Sequence, residues 1–172
     1  HIVIIALVMD FSGLVLAGGS PRDSVAAACG TPVKALGLVA GRPILAYVVE
    51  ALRGAGLTPL VVATSPDALA GAQQVLDDLG EPGTSMAAVA ARGPTFVDTL
   101  TAGLGLLAPS QPVLLATGDL PLLTPDAVAD FLRRARDTGA DLVYSAVRAD
   151  VLRPPYTTGA RVVVRLREGR VS

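Results

Sequence analysis

The chain has 172 residues, 51% of them hydrophobic and 17% charged, which suits one domain with a buried core and excludes a disordered chain. A formal net charge of −1 excludes a basic footprint for nucleic acid or an anionic membrane. The single cysteine, Cys29, and single histidine, His1, exclude an intrachain disulfide and a Cys/His zinc site. They leave a Ser-His-Asp triad only a terminal histidine, and they point to a reducing, cytoplasmic compartment.

Residues 1–8 are apolar but too short to span a bilayer, and they lack the basic start and cleavage site of a signal peptide. Met9-Asp10-Phe11 reads as a natural start. Residues 1–8 then read as a remnant or upstream extension, or alternatively as an extra edge strand, and one domain is expected over residues 9–172. The apolar run Leu14 to Ala17 predicts a buried strand. It stops at Gly18-Gly19, followed by a polar loop holding Ser20, Arg22 and Asp23 and then by Lys34, the only lysine in the chain. Without Cβ atoms the glycine pair lets backbone N–H groups approach a ligand such as phosphate. Arg22 would add a bidentate fork and Lys34 a point charge. The same residues also read as a tight strand-to-helix turn with solvated charges.

Beyond this loop, strands and helices alternate. Pro43 at a first-turn position predicts a helix to about Arg53, with Ile44, Leu45, Val48, Val49 and Leu52 on one face and Gly54 and Gly56 to end it. Leu60 to Ala63 predicts a short buried strand. Ser65-Pro66-Asp67 reads as N-cap, first-turn proline and dipole-matched acid for a helix to about Leu79. Met86 to Ala90 predicts a weaker strand, and residues 95–107 a helix whose pattern includes Phe96, Val97, Leu100, Leu104 and Leu107. Pro112 to Ala116 predicts a strand ending at Thr117-Gly118-Asp119, and Thr124-Pro125-Asp126 opens a helix to about Arg136. Asp141 to Val147 predicts another strand, as does Arg161 to Leu166 before a turn at Glu168-Gly169. Strands alternating with helices of 10–15 residues predict an α/β fold: a mostly parallel sheet covered by helices on both faces.

Ligands of such sheets bind beyond the carboxyl ends of the strands, where Gly18-Gly19 and Asp119 both fall. A carboxylate there, beside a glycine, is placed to hold Mg²⁺ between protein and phosphates. A loop cap with local backbone bonds is the plainer reading of Asp119.

In order along the chain, Leu16-Ala17-Gly18-Gly19, Lys34-Ala35-Leu36, Gly41-Arg42-Pro43-Ile44-Leu45, Ala51-Leu52 and Thr117-Gly118-Asp119-Leu120-Pro121-Leu122-Leu123-Thr124-Pro125 resemble the MobA-like NTP transferases. The resemblance covers roughly residues 13–140. It implies a Rossmann-like sheet of the nucleotide-diphospho-sugar transferase type and an enzyme that moves a nucleoside monophosphate from an NTP to a phosphorylated small-molecule acceptor. Pyrophosphate would be released and Mg²⁺ would be the cofactor. It further implies that Leu16, Ala17, Gly18, Gly19 and Ser20 line the nucleotide and that Arg22 and Lys34 contact phosphates. Asp119 would ligate the metal, and Thr95, Asp98 and Thr99 would lie near the base or ribose. Lys34 and Asp119 are the catalytic candidates.

The family's glycine loop runs Gly-Gly-x-Ser-x-Arg-Met-Gly. Here Gly19-Ser20-Pro21-Arg22-Asp23-Ser24 places arginine one position early and lacks Met-Gly, which favours a branch acting on an acceptor other than molybdopterin. A GT-A glycosyltransferase would use an Asp-x-Asp motif where this chain has Asp119-Leu-Pro-Leu. An NAD-dependent oxidoreductase would need Gly-x-Gly-x-x-Gly and an acid after the second strand, where Thr64-Ser65 stands. A nucleotide-binding module without turnover is the non-enzyme alternative. Arg161 to Ser172 reads as a strand and turn whose partner is missing or just begun. With the resemblance, this implies a second metal ligand from beyond Ser172, low activity for residues 1–172 alone, and weak Mg²⁺ binding without nucleotide.

Overall fold

In strand β1 (Ser12–Leu16) the side chains of Leu14 and Val15 are fully buried, and the other elements assemble around this segment. The structure is a computed structural model that describes residues 11–19, 24–80 and 85–147, with the backbone of 164–166 and 169–171. The expectations for residues 1–8, Ser20, Arg22, Asp23, 161–163 and Glu168 lie outside the described residues. Contacts divide the chain into two units, His1–Ala129 and Asp130–Ser172.

After β1 come helix α1 (Ser24–Cys29), a 3-10 turn at Lys34–Leu36, and the short strands β2 (Leu38–Val39) and β3 (Arg42–Pro43). These two pair as an antiparallel hairpin. Its tip, Ala40-Gly41, takes positive φ at both residues (50° and 79°), the twist that a two-residue hairpin turn needs. Helix α2 (Ile44–Gly54) buries Ile44, Leu45, Val48, Val49 and Leu52. Pro43 sits one place earlier than expected, as the N-cap, because the hairpin already engages it opposite Leu38.

Strand β4 (Leu60–Thr64) leads through a 3-10 turn at Pro66–Ala68 to α3 (Leu69–Leu79). Ser65 occupies the N-cap position of that turn, but its side chain does not cap and its Oγ is buried without a partner. Strand β5 (Met86–Ala90), helix α4 (Phe96–Leu104) and strand β6 (Val113–Thr117) follow.

The four long strands form one sheet in the order β5-β4-β1-β6, every neighbouring pair parallel. Helices cover both faces. Gly13 approaches Leu52 of α2, while its neighbour Leu14 packs against Gly103 of α4, and consecutive strand residues point to opposite faces. On the α4 side Leu14, Val61, Ala63 and Leu107 make a buried cluster, joined by Leu16, Val89, Leu100 and Val113. The apolar pattern over 95–107 overstates burial at its start: Phe96 and Val97 are each 64% exposed. They occupy the first turn, before α4 reaches the sheet at Leu100 and Gly103.

Helix α5 (Pro125–Thr138) begins with a true cap, Thr124 Oγ1 accepting from the Ala127 N–H at 3.2 Å, and continues into the second unit. There Asp130 accepts from Arg134 at 2.8 Å and from Arg133. The strand expected at Asp141 to Val147 is not formed: residues 142–147 carry no regular structure, and Leu142 and Tyr144 are more than four-fifths exposed. An apolar stretch becomes a strand only where a neighbour supplies ladder bonds, and among the described residues no strand pairs with it. Strands β7 (Val164–Leu166) and β8 (Gly169–Val171) form an antiparallel hairpin with Leu166 opposite Gly169. The described strand Val164–Leu166 thus has a return of three residues.

Candidate active site

Because β1 and β6 run parallel in register, with Leu16 opposite Thr117, the loops after them leave the same rim of the sheet. The end of β1 is held from both sides. Ala17 donates its N–H to Ala63 O at 2.8 Å, the buried Thr64 hydroxyl donates to Ala17 O at 3.0 Å, and the Gly118 N–H donates to Leu16 O at 3.0 Å. A Cβ on Gly118 would lie 3.1 Å from Ala17 Cβ and 3.0 Å from Ala35 Cβ. Glycine at 118 is what lets the two strand ends and the Lys34 turn close up together.

Lys34 is aimed by its surroundings. Val33 and Ala35 on either side are buried, and the 3-10 turn is closed by Gly37 N–H donating to Lys34 O at 2.9 Å. Ile44 N–H bonds Gly37 O, also at 2.9 Å, so the start of α2 anchors the turn. From this base the Lys34 ammonium reaches to 3.2 Å from Asp119 Oδ2, each side chain a little under two-fifths exposed.

Across the rim, α4 starts with a capping box. The Asp98 N–H donates to Thr95 Oγ1 at 3.1 Å, and Asp98 Oδ2 accepts from the Thr95 N–H at 2.9 Å and its hydroxyl at 2.6 Å. The Thr95 hydroxyl, then its N–H, hold the Asp98 carboxyl below the usual range. Thr99 Oγ1 donates to Thr95 O at 3.3 Å.

These segments enclose a cleft of about 490 Å³ lined by Leu16, Ala17, Gly18, Gly19, Lys34, Ala35, Pro94, Thr95, Phe96, Thr99, Thr117, Gly118 and Asp119. Its size is that of a small-molecule site. Of the residues expected from sequence, Leu16 to Gly19, Lys34, Thr95, Thr99 and Asp119 come together in it. Asp98 does not line it: its carboxylate is drawn into the capping box, and the residue faces a second cavity between β5 and α4. Sequence reasoning passes over Ala35, Pro94, Phe96, Thr117 and Gly118. For Thr117 and Gly118 the signal is adjacency to Asp119, and for Pro94 and Phe96 it is the cap Thr95 between them. Among the described residues of the lining, Lys34 and Asp119 are the only charged ones. No group of three or more His, Cys, Asp or Glu side chains able to hold a metal occurs among the described residues.

The family model for the MobA-like NTP transferase domain matches residues 13–169. The chain belongs to this family. Among solved structures, this MobA-like chain is similar to a hypothetical transferase from Thermus thermophilus, 30% identical with TM-score 0.65, covering 95% of this chain and 62% of that one. It is also similar in fold to 4-diphosphocytidyl-2C-methyl-D-erythritol synthase from Anaerococcus prevotii, 16% identical with TM-score 0.62, covering 94% of this chain and 62% of that one. A nucleotidyl transferase from Methanothermobacter is 22% identical with TM-score 0.56, covering 72% of this chain and 57% of that one. The chain thus spans less than two thirds of the length of these structures. No curated protein sequence matches it. Among the described residues no helix is long and apolar enough to cross a membrane.

Proposed function

We propose that the chain is the nucleotide-handling part of a nucleotidyltransferase that moves a nucleoside monophosphate from an NTP to a phosphorylated small-molecule acceptor. The observation that carries this reading is the convergence of the exposed Gly18-Gly19 backbone, the Lys34 ammonium and the Asp119 carboxylate on one cleft. Membership of the MobA-like NTP transferase family supports it.

In the reaction, an acceptor phosphate oxygen attacks the α-phosphorus of the NTP. The new P–O bond forms as the bond from the α-phosphorus to the oxygen bridging the β-phosphorus breaks, and pyrophosphate leaves with the electron pair. A phosphate oxygen is already anionic at neutral pH, so no general base is required. The protein's work is to position the reactants and to offset charge. The glycine backbone lets the phosphates lie close, and Lys34 offsets their charge. Ser20 and Arg22 are further phosphate contacts on this reading.

Asp119 fits Mg²⁺: it offers hard oxygen donors in the cleft, and Mg²⁺ is commonly held by one or two carboxylates together with substrate phosphates. When bound, the ion supplies charge neutralisation and Lewis acidity at the α-phosphoryl group. The half-open Lys34–Asp119 pair is worth no more than about 1 kcal/mol. Opening this pair therefore costs a triphosphate little, and it frees the carboxylate. The test is a pyrophosphate-release screen of the four NTPs against pooled phosphorylated acceptors, with and without Mg²⁺. Release in at least one pool is expected. NTP binding without release in any pool would support a binding module instead.

A further inference from the structure

The cleft is divided by charge. Lys34 and Asp119 stand at the β6 side. At the start of α4, Pro94, Thr95, Phe96 and Thr99 bring no charge to the lining. Neither threonine there has a side-chain proton to give a ligand: Thr95 Oγ1 donates to Asp98 Oδ2 and Thr99 Oγ1 to Thr95 O. The Asp98 carboxylate, which could have accepted from a base edge, is taken up by Thr95. What this end does present is an aromatic ring. Phe96, at the first position of α4, lines the cleft while 64% exposed. A large apolar side chain held in water at the edge of a binding cleft gains by covering a flat apolar partner.

We propose that Phe96 is a stacking platform for the nucleobase and that it sets base preference by ring area rather than by hydrogen-bonded readout. The proposal rests on the NTP reading above. With phosphates held at the Lys34 end, the base of the same molecule extends toward Phe96. Stacking scales with overlap, so both purines should be held better than either pyrimidine, and adenine and guanine should be nearly equal because neither threonine beside Phe96 has a hydroxyl proton left to read their edges.

The experiment is calorimetric titration of the whole protein with ATP, GTP, CTP, UTP and inorganic tripolyphosphate in Mg²⁺ buffer, for the parent, Phe96→Ala and Phe96→Trp. The parent should bind ATP and GTP within about threefold of each other and several-fold tighter than CTP and UTP. Phe96→Ala should weaken the purine nucleotides by about tenfold or more, leave tripolyphosphate unchanged and abolish the purine preference. Phe96→Trp should keep it. Because Phe96 is largely exposed, melting curves of both variants should match the parent. Unaltered ATP affinity in Phe96→Ala, tripolyphosphate bound as tightly as ATP by the parent, or one base favoured a hundredfold over the other three would overturn the platform alone. A parent that binds neither tripolyphosphate nor any NTP would overturn the nucleotide reading and the platform with it.

Discussion

Strands β4 and β6 are nearly the same word, Leu-Val-Val-Ala-Thr and Val-Leu-Leu-Ala-Thr, and both run parallel beside β1. Their fates differ. All five residues of β4 are buried, whereas β6 is half open, with Leu115 45% exposed. The difference lies in position: β4 is flanked by β1 and β5, and β6 lies at the end of the described sheet. The closing threonines divide the labour accordingly. Thr64 is sealed and holds the Ala17 carbonyl, while Thr117 faces the cleft. Both β1, inside the sheet, and β6, at its end, give their exits to the cleft, whereas β4 between β1 and β5 is wholly scaffold.

The largest expected contrast is between the acids that follow the two strands. Asp119→Asn should lower nucleotide turnover by about a thousandfold while the thermal midpoint stays within a few degrees. Asp67→Asn, beyond β4 and away from the cleft, should leave turnover unchanged. Steady-state pyrophosphate release measures both, and equal effects would remove Asp119 from the mechanism.

The strand interiors should separate next. Leu60→Ala, at a residue 2% exposed, should destabilise by about 3 kcal/mol through lost burial and the cavity left behind. Leu115→Ala in β6 should cost about 1 kcal/mol or less. Urea denaturation reads the difference, and similar midpoints would mean that β6 is covered in solution.

A smaller contrast divides the threonines. Thr64→Val removes a buried donor from the Ala17 carbonyl and should cost about 1–2 kcal/mol. Thr117→Val should stay within about 0.5 kcal/mol of the parent. Both are read by the same denaturation series.

The smallest effect is expected at the cap of α4. The Asp98 carboxyl titrates below its ordinary value because the Thr95 hydroxyl and N–H favour its charged form. Its contribution to stability is therefore present above the unfolded carboxylate pKa of about 4 and is lost as pH falls through the lower folded value. The gap in thermal midpoint between the parent and Asp98→Asn should narrow on acidification below about pH 4. A gap constant with pH would contradict the capping-box assignment.

Local chemistry in the sequence was enough for the scaffold and the charged end of the cleft. Met86 to Ala90 is the strand its residues announce, α2 buries the face that its 3.6-residue period marks out, and the alternation of elements implies a parallel sheet whose loops after β1 and β6 share a rim. Lys34 and Asp119 were legible as candidates because a lone lysine and a carboxylate at a strand's end are unusual in so apolar a chain. Three things depended on what each residue meets in the folded chain. Residues 142–147 have the pattern of a strand, but ladder bonds require a partner that no pattern can supply. Asp98 has the right charge for a ligand, but Thr95, three residues back, captures its carboxylate. Phe96 reads as core because hydrophobicity is a property of the residue, whereas burial is a property of what packs over it, and over the first turn of α4 the cleft remains open.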